Sequence, residues 1–471
     1  MSTPTTHEAP PPTLWQSIKE ALRGSHQDYT TGSLNRSILL LAIPMVLEMV
    51  LESLFAVVDV FWVSRLGPNA IATVGLTESV LTLVFAVGLG LSMSTTAMVA
   101  RRIGEKDADG AAISAVQAII LGLVASALLG LPFFFLAPKL LALMGATPAI
   151  VSIGTGYTRI ALGGSGVVLM LFLNNAIFRG TGDAAIAMRL LWVSNILNLV
   201  LDPCLIFGLG PFPRMGVTGA ALATFTGRGI GVLYQFYRLF RGTERLCILA
   251  CHLRLNIEVL WRLVKVSFTG ILQFLIGQAS WILLVRIVSL FGASALAAYT
   301  IAIRIVIFAI LPSWGLSNAA ATLVGQNLGA GHPDRARNAV WRTGLWNMIF
   351  LGSVGLVFIA FAPFIIRLFS SDPEVLRTAI PCLRIFSCGN IAFAYGMVLM
   401  QAFNGSGDTL TPTYVNFFGF WLLEIPLAWA LAMHTPLQVN GIFASVVVAQ
   451  SVIVLITLYL FRKGNWAKQR I

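Results

Sequence analysis

Three acidic residues recur at helical spacing inside the first long apolar run of the sequence. Glu48, Glu52 and Asp59 are separated by steps of four and seven, so a helix would carry all three on one face. A later run contains Asp202, and Asn198 lies four residues before it on the same face. A charge at bilayer depth costs at least about 2.5–3.5 kcal/mol, which makes each of these acids a candidate for function.

The chemistry open to these groups is the binding of a proton or of a small hard cation. Carboxylate and amide oxygens without sulfur or imidazole suit Na⁺, and two neighbouring carboxylates in an apolar interior favour holding a proton. We therefore predict a cation-coupling site in the first half of the chain, with Asp59, Asp202 and Asn198 as ligands if the ion is sodium. The alternative is that these acids are simply paired with buried bases.

A proline precedes all three of these acids in the same apolar run. Pro44 lies 15 residues before Asp59 and would remove one backbone hydrogen bond and bend the helix. We expect protonation of Asp59 to change the extent of that bend.

The whole composition is that of a membrane protein. Of the 471 residues, 57% are hydrophobic and 11% charged, with mean hydropathy +0.85, whereas soluble domains carry about 25% charged residues. A soluble enzyme is therefore excluded, and no catalytic site is predicted. Because backbone groups in lipid must be bonded within their own segment, the spans are helices, and the fold class is all-α. Twelve stretches of sufficient length lie near 37–64, 70–99, 111–136, 150–178, 188–209, 216–240, 261–290, 296–325, 338–362, 375–403, 411–433 and 439–461.

The net charge of +12 comes from arginines and lysines in alternate short loops, which is a topology signal and not a nucleic-acid signature. Lys/Arg excess marks the cytoplasmic side, so we expect both termini in the cytoplasm and the protein in the cytoplasmic (inner) membrane. The predicted divisions are a cytoplasmic tail (1–35), a first bundle (36–240), a cytoplasmic linker (241–262), a second bundle (263–462) and a short cytoplasmic tail (463–471).

The two halves of the chain are copies of each other. Gly67 matches Gly292 (292 − 67 = 225), and Gly90-Leu91-Ser92 matches Gly315-Leu316-Ser317 at the same offset. The turn RGTGD at 179–183 matches NGSGD at 404–408, again offset by 225. Six spans per copy return the chain to its starting side, so we expect two six-helix bundles related by a pseudo-two-fold axis along the membrane normal.

The second copy carries bases where the first carries acids. Arg286 and Arg304 fall beside the counterparts of Asp59 and of Glu78, the acid of span two (286 − 225 = 61; 304 − 225 = 79). Glu424 is the acid inside the second bundle. These bases could pair with acids or hold an anionic part of a substrate. The substrate candidates for the cleft between the bundles are Glu48, Glu78, Arg286, Arg304, Glu424 and Trp62.

The chain has no nucleotide-driven motor. The glycine-rich turns do not follow a strand in a βαβ unit, and no G-x-x-x-x-G-K-[ST] run occurs. Transport would therefore be driven by an ion gradient, with H⁺ or Na⁺ as the coupling ion and no other cofactor.

These residues resemble the multidrug and toxic compound extrusion (MATE) family. The paired RGTGD and NGSGD turns, the NxxxDP of span five and the GVTGAALAT run at 216 carry the resemblance, which covers about residues 35 to 462. It implies a V-shaped pair of six-helix bundles and efflux by antiport. The chain is most similar to the DinF-like branch, whose coupling ion binds the amino-terminal bundle. The resemblance places Asp59, Asn175, Asn198 and Asp202 at that branch's cation site, and Pro44 at its bending proline.

Two functions remain open from the sequence. The first is an antiporter that exports drugs or amphipathic metabolites, with Glu52 as a further member of the coupling site. The second is a flippase for a lipid-linked or other anionic amphiphile, which the arginines of the second bundle favour. The expected partners are a small amphipathic substrate and membrane lipids, without nucleic acid, and we expect a monomer.

Overall fold

The computed structural model describes residues 13–24, 27–242 and 245–469, and within these ranges it contains helices and no strand. The parts of the predicted tails at 1–12 and 470–471 lie outside the described residues. Twelve long helical segments follow one another, here called spans 1 to 12: Leu34–Ser64, Pro68–Gly104, Ala108–Leu143, Pro148–Thr181, Ala184–Phe207, Val217–Arg241, Ile257–Ser289, Ala293–Gly329, Pro333–Arg367, Pro373–Cys388 with Asn390–Ser406, Leu410–His434 and Val439–Lys463.

The helices are long and apolar enough to cross a membrane. By length and composition ten of the described helices qualify alone, and the bent span 10 makes eleven. Span 6 has 25 residues but is less apolar and carries Arg228 near its middle. The prediction of an all-α, polytopic membrane protein is confirmed.

The internal duplication is visible in the helix boundaries. Spans 2, 3 and 4 begin at residues 68, 108 and 148, and spans 8, 9 and 10 begin at 293, 333 and 373, each 225 residues later. The breaks also correspond: Gly164 interrupts span 4, and its counterpart Gly389 interrupts span 10, which bends there by 51°. Both copies therefore share one helical plan, which we call the N-lobe (34–241) and the C-lobe (257–463).

The lobes meet through spans 1 and 2 of the N-lobe and spans 7 and 8 of the C-lobe. Hydrogen bonds between them cluster in the half of the molecule nearest the chain ends. Thr322 and Gln326 of span 8 donate to the carbonyls of Arg179 and Gly180, at 3.2 and 2.9 Å. In the opposite half Glu78 and Arg304 are exposed. The lobes are thus closed at the face that carries the chain ends, called the terminal face, and part toward the opposite face.

Counterpart glycines make the close contacts between the lobes. A methyl group at Gly315 of span 8 would lie 2.5 Å from the Met45 carbonyl oxygen of span 1. At Gly90 of span 2 it would lie 2.6 Å from the Ile271 amide nitrogen of span 7. Because 315 − 90 = 225, the two glycines occupy the same position of the repeat, and each makes the close contact of its own lobe with the other lobe. Only the absence of a Cβ allows these helices to approach so closely.

The segment before span 1 is ordered against both lobes. Residues 27–33, called the terminal strap, follow a short helix at Leu14–Arg23. The Tyr29 hydroxyl donates to the Gly182 carbonyl of the N-lobe at 3.2 Å. Arg335 of the C-lobe donates to the carbonyls of Gly32 and Thr31 at 3.0 and 2.6 Å. The described part of the predicted tail is therefore partly helical and partly a bridge between the lobes, and span 1 begins at Leu34.

One acid of the terminal strap is held in its charged form. Asp28 Oδ1 accepts hydrogen bonds from the Thr30 amide and hydroxyl at 2.8 and 2.6 Å. Partial burial opposes the charge, but these two hydrogen bonds, with Lys106 and Arg245 nearby, hold the pKa of Asp28 below its ordinary value.

Candidate functional site

The core of the candidate site is a buried carboxylate on span 5. The Asp202 side chain is fully buried, and Asn198 Nδ2 donates to its Oδ1 at 3.1 Å. The four-residue spacing puts both groups on one helix face, as the sequence predicts. The same amide lies 3.4 Å from the Thr224 hydroxyl of span 6. Spans 5 and 6 therefore supply a carboxylate, an amide and a hydroxyl to one point in the N-lobe.

Span 1 brings a second carboxylate to this point. Asp59 lies close enough to Asp202 for the two charges to interact, and both also interact with Tyr157 of span 4. Among the described residues neither aspartate forms an ion pair. We call Asp59, Asp202, Asn198, Thr224 and Tyr157 the N-lobe carboxylate site. Tyr157 and Thr224 could not be identified from the sequence, because single hydroxyls in apolar helices carry no pattern.

The oxygens of this site retain unused hydrogen-bonding capacity. Asp59 Oδ1, Asp202 Oδ2 and Asn198 Oδ1 are each buried without a hydrogen-bond partner among the described residues. Buried polar atoms are normally paired, because an unpaired one costs about 1–3 kcal/mol. A proton shared by the carboxylates, or a hard cation among these oxygens, would satisfy them, so the donor set fits either coupling ion.

Glu52 is paired and stands apart from the two aspartates. Its Oε1 lies 2.6 Å from Arg228 Nη2 of span 6, and the guanidinium also lies 4.6 Å from the centre of the Phe55 ring. Glu52 was predicted to belong to the coupling site. In the structure it is instead an acid paired with a buried base, which was the alternative left open by the sequence. Arg228 is also near enough to Asp59 for their charges to interact. It went unnoticed in the sequence because it falls in the middle of a span and not in a loop.

Asn175 belongs to a different cluster, nearer the terminal face. Its Nδ2 donates to Glu48 Oε1 at 3.0 Å, and its Oδ1 accepts from Gln235 at 2.5 Å. Arg179 lies 3.5 Å from the same Glu48 oxygen. We call these four residues the inner polar cluster.

The structure therefore does not place Asn175 beside Asp202, where the family resemblance predicted it. At 1.5 Å per residue, Asn175 lies about 9 Å and Asp202 about 27 Å from the ends of their spans at the terminal face. Glu48, predicted for the cleft, is likewise inside the N-lobe, with 2% of its surface exposed.

The remaining cleft candidates divide between the cleft and the lobe interiors. Glu78 and Arg304 are exposed, and their charges interact across the two lobes; Arg286 is exposed as well. Trp62 instead packs edge-on against Phe207, with ring centres 6.1 Å apart, in the outer part of the N-lobe.

Pro44 and Glu424 lie in helix interiors. Pro44 is buried within span 1, one residue before the Met45 carbonyl that Gly315 approaches, and span 1 stays helical across it. Its bending role remains a prediction. Glu424 was predicted for the cleft but lies buried inside the C-lobe, at the end of a π-helical stretch, Phe417–Glu424.

Comparison with known proteins agrees with the membrane-protein class and points to one family. The family model described as MatE matches residues 44–204 and 267–430. A protein of Thermotoga maritima named "Probable multidrug resistance protein NorM" is 26% identical over 447 residues, covering 93% of this chain and 94% of that protein. An "FAD transporter" of Shewanella oneidensis is 26% identical over 403 residues, covering 84% and 88%.

A solved structure has the same fold. It is described as an outward-facing conformation of a multidrug resistance MATE family transporter of the MOP superfamily, and it superposes with a TM-score of 0.86 at 27% identity, covering 94% of this chain and 98% of that one. Two six-helix lobes with a carboxylate site inside one of them define a multi-pass membrane transporter. The chain belongs to the MatE family, which confirms the resemblance inferred from its repeated turns.

Proposed function

We propose that this protein is an antiporter that exports drugs or amphipathic metabolites across the cytoplasmic membrane in exchange for H⁺ or Na⁺. The observation that carries the proposal is the pair Asp59 and Asp202, which interact with each other and have no ion-pair partner among the described residues. Two such carboxylates cannot both stay charged and unpaired in an apolar lobe, so one of them takes up a proton or both share a cation.

The proposal includes alternating access by rocking of the two lobes. The lobes are in contact through spans 1, 2, 7 and 8 and are hydrogen-bonded to each other near the terminal face, so rocking about these spans would close the opposite face and open the terminal face. The basic loops give the terminal face a cytoplasmic position by the positive-inside rule. With the terminal face in the cytoplasm, this conformation of the protein faces outward.

The test is ethidium efflux from cells that express the protein, with the Na⁺ and H⁺ gradients collapsed separately. Loss of efflux on collapsing one gradient alone identifies the coupling ion. Asp202→Asn and Asp59→Asn should each abolish gradient-driven efflux. Asp109→Asn is the matched control, because its side chain is 84% exposed at the terminal face. Normal gradient-driven efflux by both aspartate variants would refute the proposal.

A second function, transport of an anionic amphiphile, is favoured by Arg286 and Arg304. Both are exposed in the C-lobe, and neither forms an ion pair within 4 Å among the described residues. The relative from Shewanella oneidensis, described as an FAD transporter, is named for an anionic substrate. If ethidium is not exported, uptake of a labelled anionic amphiphile into inverted vesicles, with Arg286→Gln and Arg304→Gln as variants, distinguishes this function.

A further inference from the structure

The interior of the C-lobe holds one carboxylate that the antiport site above does not use. Glu424 is 3% exposed, and its Oε2 is buried without a hydrogen-bond partner among the described residues. It also lacks an ion-pair partner there. A charged carboxylate in such surroundings would lose most of its hydration without compensation, so the neutral acid is the form that fits this conformation.

The groups around Glu424 are few and neutral. Tyr299 of span 8 is 2% exposed, and its hydroxyl is also buried without a partner. It lies close enough to interact electrostatically with Glu424 and with Cys382 of span 10. The Tyr299 ring packs between Trp281 and Phe443, at 5.9 and 6.1 Å between ring centres.

Spans 7 and 12 also pack against the π-helical stretch. Their titratable side chains, and those of span 11 itself apart from Glu424, are exposed: Glu258, Arg262, Lys265, Arg286, Tyr414, His434, Tyr459, Arg462 and Lys463. Among the described residues, Tyr299 is thus the titratable group found near Glu424, and Cys382 lies near Tyr299.

The backbone at this point is also unusual. Phe417–Glu424 is π-helical, and Pro426 follows two residues later, where it removes a backbone donor. π-Helical turns are rare and are frequently found at functional sites. Local rearrangement of this stretch could therefore move Glu424 without breaking span 11.

The internal repeat relates this place to the N-lobe carboxylate site. Cys382 is the counterpart of Tyr157 (382 − 157 = 225), and Glu424 lies one residue beyond the counterpart of Asn198 (198 + 225 = 423). Span 8, which carries Tyr299, is the counterpart of span 2. Each lobe therefore has a buried carboxylate on its fifth span; Asp202 interacts with Tyr157 directly, whereas Tyr299 lies near both Glu424 and Cys382.

We propose that Glu424 is a second protonation site of the transport cycle, separate from Asp59 and Asp202. In this proposal, which rests on the proposed antiport function, the carboxylate takes one proton from the open side and returns it to the other side after the lobes rock. Hard metal cations such as Ca²⁺ take six or more oxygen ligands, whereas this site offers one carboxylate and one phenol. Its chemistry therefore suits a proton and not a metal ion.

The first measurement does not depend on transport. In purified full-length protein in lipid nanodiscs, infrared spectroscopy records the carbonyl stretch of protonated carboxylic acids as the pH is raised. Glu424→Gln should remove one component of that absorption, and Glu424→Asp should restore one at a shifted frequency. Glu258→Gln, an exposed control that is paired with Arg262, should leave the spectrum unchanged. An unchanged spectrum in Glu424→Gln would overturn the proposal.

The second measurement is the limiting substrate ratio in proteoliposomes with a membrane potential and no pH gradient, with ethidium as the probe. One proton fewer per cycle lowers that ratio by about 50-fold at about 100 mV. We expect this loss in Glu424→Gln, with recovery in Glu424→Asp. A ratio equal to that of Glu258→Gln would overturn the proposal. If the proposed antiport itself fails, the unaltered protein holds no ethidium gradient, while the infrared result still decides whether Glu424 carries a proton.

Discussion

The lobe interface offers a direct test of the rocking motion, because one methyl group can be added where two backbones meet. Gly315→Ala places a Cβ 2.5 Å from the Met45 carbonyl oxygen, whereas ordinary van der Waals contact begins at 3.4 Å. Spans 1 and 8 must therefore separate by about 0.9 Å at this point (3.4 − 2.5). The clash is with backbone, so a rotamer change cannot relieve it.

The size of the effect follows from the cost of overpacking. Forcing a methyl group into a close-packed contact costs about 1–3 kcal/mol. The contact exists in the conformation closed at the terminal face, so the cost falls on that conformation and on any other that keeps the contact. If the opposite conformation releases it, the equilibrium shifts toward that conformation by about 5–150-fold.

The assay is a distance measurement between spin labels by double electron–electron resonance. Lys139 and Phe364 are repeat counterparts (364 − 139 = 225), and both are exposed at the ends of spans 3 and 9 away from the terminal face. Labels at cysteines introduced there, after replacement of the five native cysteines, report the opening of that side. Gly315→Ala should enrich the shorter distance.

Gly75→Ala is the matched control, because a methyl group there meets nothing within 4 Å on span 2. It should leave both the distance distribution and the Tm unchanged. If Gly315→Ala gave the same distances as Gly75→Ala, the glycine contact would not control the conformation. A lowered Tm without any shift in distance would show that the contact is kept in both conformations, which also contradicts the reasoning.

Two further predictions concern the Glu52–Arg228 ion pair and the pH dependence of the terminal strap. Arg228→Gln leaves Glu52 without its charged partner and should destabilise the protein by about 1–3 kcal/mol. The double variant with Glu52→Gln should recover part of the lost Tm. If the Tm losses of the two single variants were simply additive in the double variant, the pairing would be contradicted. Asp28 has a lowered pKa in the folded protein, so its contribution to the terminal strap is present above about pH 4 and is lost as the pH falls through the folded value. The protection factors of the terminal-strap amides, corrected for the intrinsic exchange rate at each pH, should fall over that range, and Asp28→Asn should remove this change in protection.

The regular features of the fold could be predicted because they are periodic. Apolar length predicted the spans, and the constant offset of 225 residues predicted the two lobes; the structure adds matching breaks at Gly164 and Gly389, which were not predicted. The spacing of Asn198 and Asp202 fixed their common helix face without any knowledge of tertiary structure. Each of these signals is local or repeats along the chain.

The depth and pairing of the polar groups could not be predicted in the same way. Asn175 and Asp202 lie on neighbouring antiparallel spans, and a shift of about three turns along the axis separates their sites. The partner of Glu52 is 176 residues away in sequence, at Arg228. The π-helical stretch that ends at Glu424 has the same apolar composition as an α-helix. All three depend on how helices pack, which composition does not encode.

The sequence of span 6 has a consequence for how the protein is made. Arginine at the centre of a membrane helix costs about 2.5–3.5 kcal/mol at insertion, and Arg228 is the twelfth of 25 residues in a helix that is less apolar than the others. Its partner Glu52 belongs to span 1, which leaves the ribosome long before span 6 does. We therefore expect span 1 to stay near the translocon until span 6 is inserted, so that Arg228 enters the lipid with its counter-charge already beside it.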